Sequence, residues 1–280
     1  SCTKVVCTTT LVLRLIEEGY FSLKTKVKDI LPDFAFDEIT ILHLLTHTSG
    51  MIPDDKNYRK CTNKDEMYEF INSIPLAYKT GSDLQYSDFG FIVLGKIIEH
   101  YKGNLEEYAN EVIFKPLNMT HTMFNPKEKG FADLCVTEEI QEDRGGAIIG
   151  EAHDGKAFRM GGVSGNAGLF STVEDISRFV QMLLRDGENV LSPASINLLK
   201  TYRTENKSSI RTLGWIANDN DASDGDYYSS KCLYHTGFTG TSIYVDFERG
   251  CGIVLLINAV HPHRGNPHTI SIRNRVHNVI

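Results

Sequence analysis

Apolar residues recur at helical spacing over residues 1–19, through Val5, Val6, Leu11, Val12, Leu15 and Ile16, and Gly19 supplies a C-terminal stop. The same pattern predicts helices over 39–47, closed by Thr48-Ser49-Gly50, and over 64–73. It returns over 89–101, through Ile92, Val93, Ile97 and Ile98, and over 105–114, which Pro116 terminates. Residues 125–168 are rich in glycine and charge without sustained periodicity, which predicts a long irregular excursion of the kind that lines sites. A helix over 172–185 follows, then one more, and after about residue 192 the character changes. Short β-rich runs at 212–217, 232–235, 241–246 and 252–258 predict consecutive antiparallel strands. The last is nearly all apolar, which predicts a central strand covered on both faces, and 268–280 predicts a covering helix. No internal repeat or low-complexity segment interrupts the order.

Composition changes this picture little. With 280 residues, 41% hydrophobic and 23% charged, the chain has the make-up of an ordinary globular protein able to bury a sizeable core. A formal net charge of −7 lacks the basic excess that a phosphate backbone requires, so nucleic acid is not an expected partner. No apolar run approaches the roughly 18 to 20 residues that cross a bilayer, so no membrane segment is expected in this chain. Cys2, Cys7, Cys61, Cys135, Cys232 and Cys251 are scattered without a C-x-x-C pair, which predicts free thiols and leans towards a reducing, cytoplasmic setting.

Candidate chemistry begins at Ser1-Cys2-Thr3-Lys4, an S-x-x-K sequence. Residues three apart share a helix face, so the hydroxyl and amine can touch. A serine hydroxyl needs a base, and a lysine can serve if burial or nearby cations make it neutral. A lone S-x-x-K is weak, because a solvated helix face produces it by chance. Two further signatures strengthen it. Tyr86-Ser87-Asp88 precedes an apolar helix and offers a phenol, and His235-Thr236-Gly237 ends a predicted strand, where a cation and a hydroxyl could meet a substrate carboxylate.

In that order, S-x-x-K, Y-S-D in a Y-x-N position and H-T-G in a K-T-G position resemble the class C β-lactamase and penicillin-binding protein family. The stretches 15–19, 41–50 and 161–171 resemble the same proteins, so the likeness covers nearly the whole chain. It implies an α/β (α+β) β-lactamase/transpeptidase-like fold, with an antiparallel sheet flanked by helices and an inserted, mostly helical domain. The expected division is 1–21 with 192–280 for the sheet region and 22–191 for the insert. Family members place strands and a helix ahead of the serine, so a preceding segment is expected.

The resemblance implies a serine hydrolase with Ser1 as acylated nucleophile, Lys4 and Tyr86 sharing proton transfer, and the backbone amides of Ser1 and Phe238 as oxyanion hole. Asp88, His235, Thr236 and Gly237 would contact substrate. It implies no cofactor and no metal, a small-molecule or peptide substrate with a carbonyl centre, β-lactams as acylating ligands, and a cell-envelope or extracellular setting. Within the family, residues 151–154 and the glycine-rich run most resemble a D-alanyl-D-alanine carboxypeptidase. A small-ester hydrolase is the alternative, and a penicillin-binding sensor that does not turn over is a second. An N-terminal-nucleophile hydrolase would leave Lys4, Tyr86 and His235 without roles.

Two departures matter. Asp88 replaces the pattern's asparagine and brings an anion where an amide is expected, and His235 replaces lysine, so its charge is expected to follow pH near 6.5. Other signals are set aside. His43 and His47 lie four apart without an intervening Glu or a third ligand, and structural roles are expected for them as for His261, His263, His268 and His277. The sequons at 118–120 and 206–208 arise often by chance.

Overall fold

The computed structural model of the chain describes residues 1–139, 144–204, 209–217 and 225–279. The sequon at 206–208 lies outside the described residues. The chain opens on a turn in which Lys4 N–H donates to the Ser1 carbonyl (3.0 Å), then a π-helical stretch, Lys4–Thr9, and α1, Thr10–Glu17. The widened turn falls where Val5, Val6, Thr8 and Thr9 crowd β-branched side chains together. Gly19, at φ +79°, closes α1 through bonds from Gly19 N to Ile16 O (3.0 Å) and Tyr20 N to Leu15 O (3.1 Å), the paired pattern of a glycine C-cap.

Short helices α2, Val27–Ile30, and α3, Ile41–Leu45, lead to α4, Lys64–Ser73, which Asn63 caps through Glu66 N (2.9 Å). Next comes α5, Asp88–Lys102, whose apolar residues are buried nearly all round, as befits a helix enclosed by neighbours. It packs on α1 and α3, and is followed by α6, Leu105–Ala109, which continues as a π-helical stretch to Phe114. A two-residue strand β1, Met123–Phe124, pairs antiparallel with β2, Leu169–Phe170, and between them lies the excursion with a short helix, α7, Gly155–Arg159.

Helices α8, Val173–Leu184, and α9, Pro193–Thr201, precede the main sheet. Its strands β3, Ile216–Ala217, β4, Cys232–Thr236, β5, Ser242–Asp246, and β6, Cys251–Leu255, lie in the antiparallel order β3-β4-β5-β6, with His235 opposite Ile243 and Thr236 opposite Ser242. The last helix, α10, is Thr269–His277.

One sequence expectation is corrected here. The expected central strand is β6, yet it ends the described sheet and is only partly buried, whereas every residue of β5 is buried. An apolar run reports burial of side chains and not the order in which strands pair. Helix α8 packs on β5 and β6. Ile176, Phe179, Val180 and Leu183 form its buried face, and a Cβ at Gly252 of β6 would overlap Val180, so the glycine lets helix and sheet meet closely.

Candidate active site

The first turn of the chain, the entry to α5, the glycine-rich run and the end of β4 converge on Ser1. Ser1 Oγ lies 3.1 Å from Lys4 Nζ and 3.0 Å from Tyr86 Oη. Both are within hydrogen-bond reach of one oxygen. Tyr86 is held in place by His47, whose ring packs against it at 4.5 Å between centroids and whose Nδ1 accepts from Ser87 N (3.1 Å). Ser87 Oγ in turn donates to the Ile52 carbonyl (2.7 Å). Cys2 Sγ, 3.5 Å from Thr241 Oγ1, ties the opening turn to the loop after β4.

Lys4 is fully buried and donates three ways: to Ser1 Oγ, to Asp88 Oδ1 (2.7 Å) and to the Asn166 carbonyl (3.0 Å). Burial alone would lower its pKa, but the Asp88 carboxylate and the Tyr86 phenol outweigh burial and raise it above the ordinary lysine value. That direction favours the ammonium form of Lys4 over the neutral base that the sequence reading allowed. Burial likewise pushes Asp88 up, and Lys4 and Lys156 together hold it well below the carboxylate range.

Asp88 Oδ2 faces Lys156 Nζ at 3.1 Å, and Lys156 also donates to Asp54 Oδ1 (2.9 Å). Both oxygens of Asp88 are thus engaged by lysines. Lys156 stands on α7, which Asp154 caps through Ala157 N (2.8 Å). Asp154 Oδ1 also accepts from Asn166 Nδ2 (3.1 Å), which fixes the residue whose carbonyl receives Lys4.

His235 is 2% exposed, its Nδ1–H donates to the Thr236 carbonyl (2.9 Å), and its buried Nε2 has no hydrogen-bond partner among the described residues. Burial first, then the Lys4 and Arg211 cations, push its pKa well below 6.5. This direction disfavours the cationic imidazole that the sequence reading expected near neutral pH. Beyond it, a Cβ at Gly237 would overlap the Thr241 hydroxyl, and Phe238 stands 65% exposed against His153 at 5.8 Å between ring centroids.

The structure thus brings together Ser1, Lys4, Tyr86 and Asp88, with the 235–238 segment alongside. Sequence reasoning missed His47, Asp54, Asp154, Lys156 and Arg211. The stretches 151–154 and 161–171 carried a family signal that could have pointed to Asp154, with Lys156 just beyond the first of them, whereas Arg211, 5.7 Å from the Tyr86 ring centroid, had none. Of the histidines set aside, His43 caps its own helix, with Nδ1 accepting from Thr40 N (3.2 Å), and His47 lines the site. Among the described residues no group of histidine, cysteine and carboxylate side chains could hold a metal ion. No described helix is long and apolar enough to cross a membrane.

Comparison with known proteins is consistent with this geometry. A family model described as Beta-lactamase matches residues 1–276. The N-acetylmuramyl-L-alanine amidase of Bacillus subtilis (strain 168) is 32% identical over 296 residues, covering 92% of this chain and 67% of that protein. A protein of Escherichia coli (strain K12) named as a D-alanyl-D-alanine carboxypeptidase is 32% identical over 300 residues, 95% of this chain and 69% of that one. The octameric penicillin-binding protein homologue from Pyrococcus abyssi superposes with a TM-score of 0.71 at 24% identity, over 91% of this chain but only 60% of that one. EstCE1, a hydrolase with promiscuous acyltransferase activity, superposes at 0.73 with 21% identity, over 99% of this chain and 84% of that one. These two likenesses speak to the fold.

Proposed function

Because the chain belongs to the β-lactamase family of serine hydrolases, we propose that Ser1 is its acylated nucleophile and that it cleaves peptide-like amides as a D-alanyl-D-alanine carboxypeptidase does. The observation that carries this is the convergence of Lys4 Nζ and Tyr86 Oη on Ser1 Oγ, at 3.1 and 3.0 Å. In this reading Lys4 is the ammonium beside Ser1 Oγ, and Tyr86 is the proton acceptor in the acylation step. Ser1 Oγ bonds to the substrate carbonyl carbon while its proton passes to Tyr86 Oη. The C–N bond then breaks as Tyr86 returns that proton to the leaving amine. Water repeats the sequence: its oxygen bonds to the acyl carbon, its proton goes to Tyr86, and the ester C–O bond breaks as Ser1 regains a proton. The backbone amides of Ser1 and Phe238 would bind the oxyanion, a contribution of about 3 kcal/mol per donor.

A small-ester hydrolase is the second reading, favoured by the neutral His235, which supplies no cation for a carboxylate, and by the exposed Phe238. A fluorescent penicillin and a p-nitrophenyl ester separate the possibilities. Transient labelling with turnover supports the peptidase, ester turnover without labelling supports the esterase, and persistent labelling means a sensor. Covalent mass addition to Ser1→Ala would overturn the assignment of the nucleophile.

A further inference from the structure

We propose that Lys156 is a positioning residue that acts through Asp88, the two forming a charge-matched pair that holds Lys4 against Ser1. The proposal rests on the reading of Ser1 as nucleophile and Lys4 as its ammonium partner. Asp88 has one oxygen on each lysine, Oδ1 on Lys4 at 2.7 Å and Oδ2 on Lys156 at 3.1 Å. A carboxylate anchored at both ends cannot turn its Oδ1 away from Lys4. Lys156 is itself fixed: 5% exposed, bonded to Asp54 at 2.9 Å, 4.0 Å from Asp154, and 5.0 and 5.7 Å from the Tyr58 and Phe89 ring centroids. The backbone helps to set this position, since a Cβ at Gly155 would overlap the Tyr58 hydroxyl. The aspartate in a position where the family pattern has asparagine brings a negative charge into the site, and Lys156 brings the positive charge that matches it.

The groups facing this cluster are the Ser1 amino group, Tyr86, His47, His235, Arg211, Asp54 and Asp154. Burial and neighbouring cations push both histidines down, and Lys4 and Lys156 meet at opposite oxygens of the one Asp88 carboxylate, so Asp88 is the anion that both cations share. In Asp88→Asn, Lys4 loses its anion while Lys156 stays, and its proton is lost more readily. Deleting the Lys156 charge in that background removes a repelling cation, so Lys4 regains its proton affinity. The second substitution therefore rescues the first, which a merely structural role cannot do.

The test is the pH profile of kcat/KM for a neutral p-nitrophenyl ester, with thermal unfolding of each variant as the check on folding. Asp88→Asn is expected to lower kcat/KM about 100-fold at pH 9 and to bring an alkaline limb into the measurable range. Asp88→Asn/Lys156→Met is expected to recover about tenfold of that loss and to move the limb to higher pH. Lys156→Met alone is expected to lose about tenfold in kcat with little change in KM, and Lys156→Arg to recover most of it. A double variant as slow as Asp88→Asn, or Lys156→Met indistinguishable from the unsubstituted protein, overturns the proposal. If Lys156→Met fails to fold, the comparison of Asp88→Asn with the double variant decides. Failure of the underlying reading is separate, since it shows as undiminished acylation of Ser1→Ala.

Discussion

Gly165 stands where the glycine-rich run crosses α5, and replacing it by alanine should damage both stability and catalysis. A Cβ built there overlaps the Phe91 carbonyl oxygen and lies 2.9 Å from Gly95 N and 3.0 Å from Gly95 Cα. Comfortable contacts are about 3.5 Å or more, so the run must retreat from the helix by about 0.5 Å at Gly95 and further at Phe91. The obstacle is helix backbone on both counts, so no side chain can swing aside. Overpacking of this kind costs about 1 to 3 kcal/mol, and unyielding backbone puts this site at the upper end. The shift also reaches the chemistry, because Gly165 O accepts from Thr8 Oγ1 (2.7 Å) and the next carbonyl, Asn166 O, accepts from Lys4 Nζ (3.0 Å). Misplacement of a positioning contact by about 1 Å can lower rate about 100-fold, so a drop of about tenfold in kcat/KM is expected for the smaller shift. Urea unfolding and ester kinetics on Gly165→Ala measure the two effects. Gly146→Ala, where a Cβ meets nothing within 4 Å, is the control and should change neither. A Gly165→Ala protein within about 0.5 kcal/mol of its parent, the range of an ordinary surface substitution, would refute the packing argument. Normal kinetics in a destabilised protein would refute the link through Asn166.

Two further predictions concern pH. Since burial, Lys4 and Arg211 keep His235 neutral, kcat/KM for a carboxylate-bearing substrate relative to a neutral ester should be the same at pH 6 and pH 8, and a tenfold fall in that ratio would show a titrating cation after all. Asp246 is pushed up by burial but held below the ordinary carboxylate value by hydrogen bonds from Ser229, Arg249 and Glu248. A depressed folded pKa stabilises above the unfolded value, about 3.9, and that stabilisation is lost as pH falls through the folded one. Asp246→Asn should therefore flatten the decline of the urea midpoint below about pH 4, and an unchanged slope would show that the turn after β5 does not depend on the charge.

The sequence alone located most of the elements and named residues that folding gathers at the candidate site. Helical periodicity located 64–73, 89–101 and 172–185 to within a residue or two, because an amphipathic or enclosed helix writes its burial into the spacing of apolar residues. Ser1 and Lys4 were legible as partners because their contact is local, one helical turn apart. Tyr86 was legible only through its motif, since 85 residues separate it from Ser1 in sequence and the chain itself gives no distance across them. What tertiary structure decided was charge and layering. His235 reads in sequence as a switch near neutral pH, but its ionisation depends on desolvation and on cations from Lys4 and Arg211, 231 and 24 residues away in the numbering. Lys4 reads as a possible neutral base until Asp88 is found on it. The pairing order that leaves β6 at the end of the described sheet, and the seat of α8 on that sheet, are likewise set by which surfaces meet, and no local pattern encodes that choice. Local spacing fixes what lies within a turn or a strand, whereas protonation states and layer order are properties of groups that only folding makes neighbours.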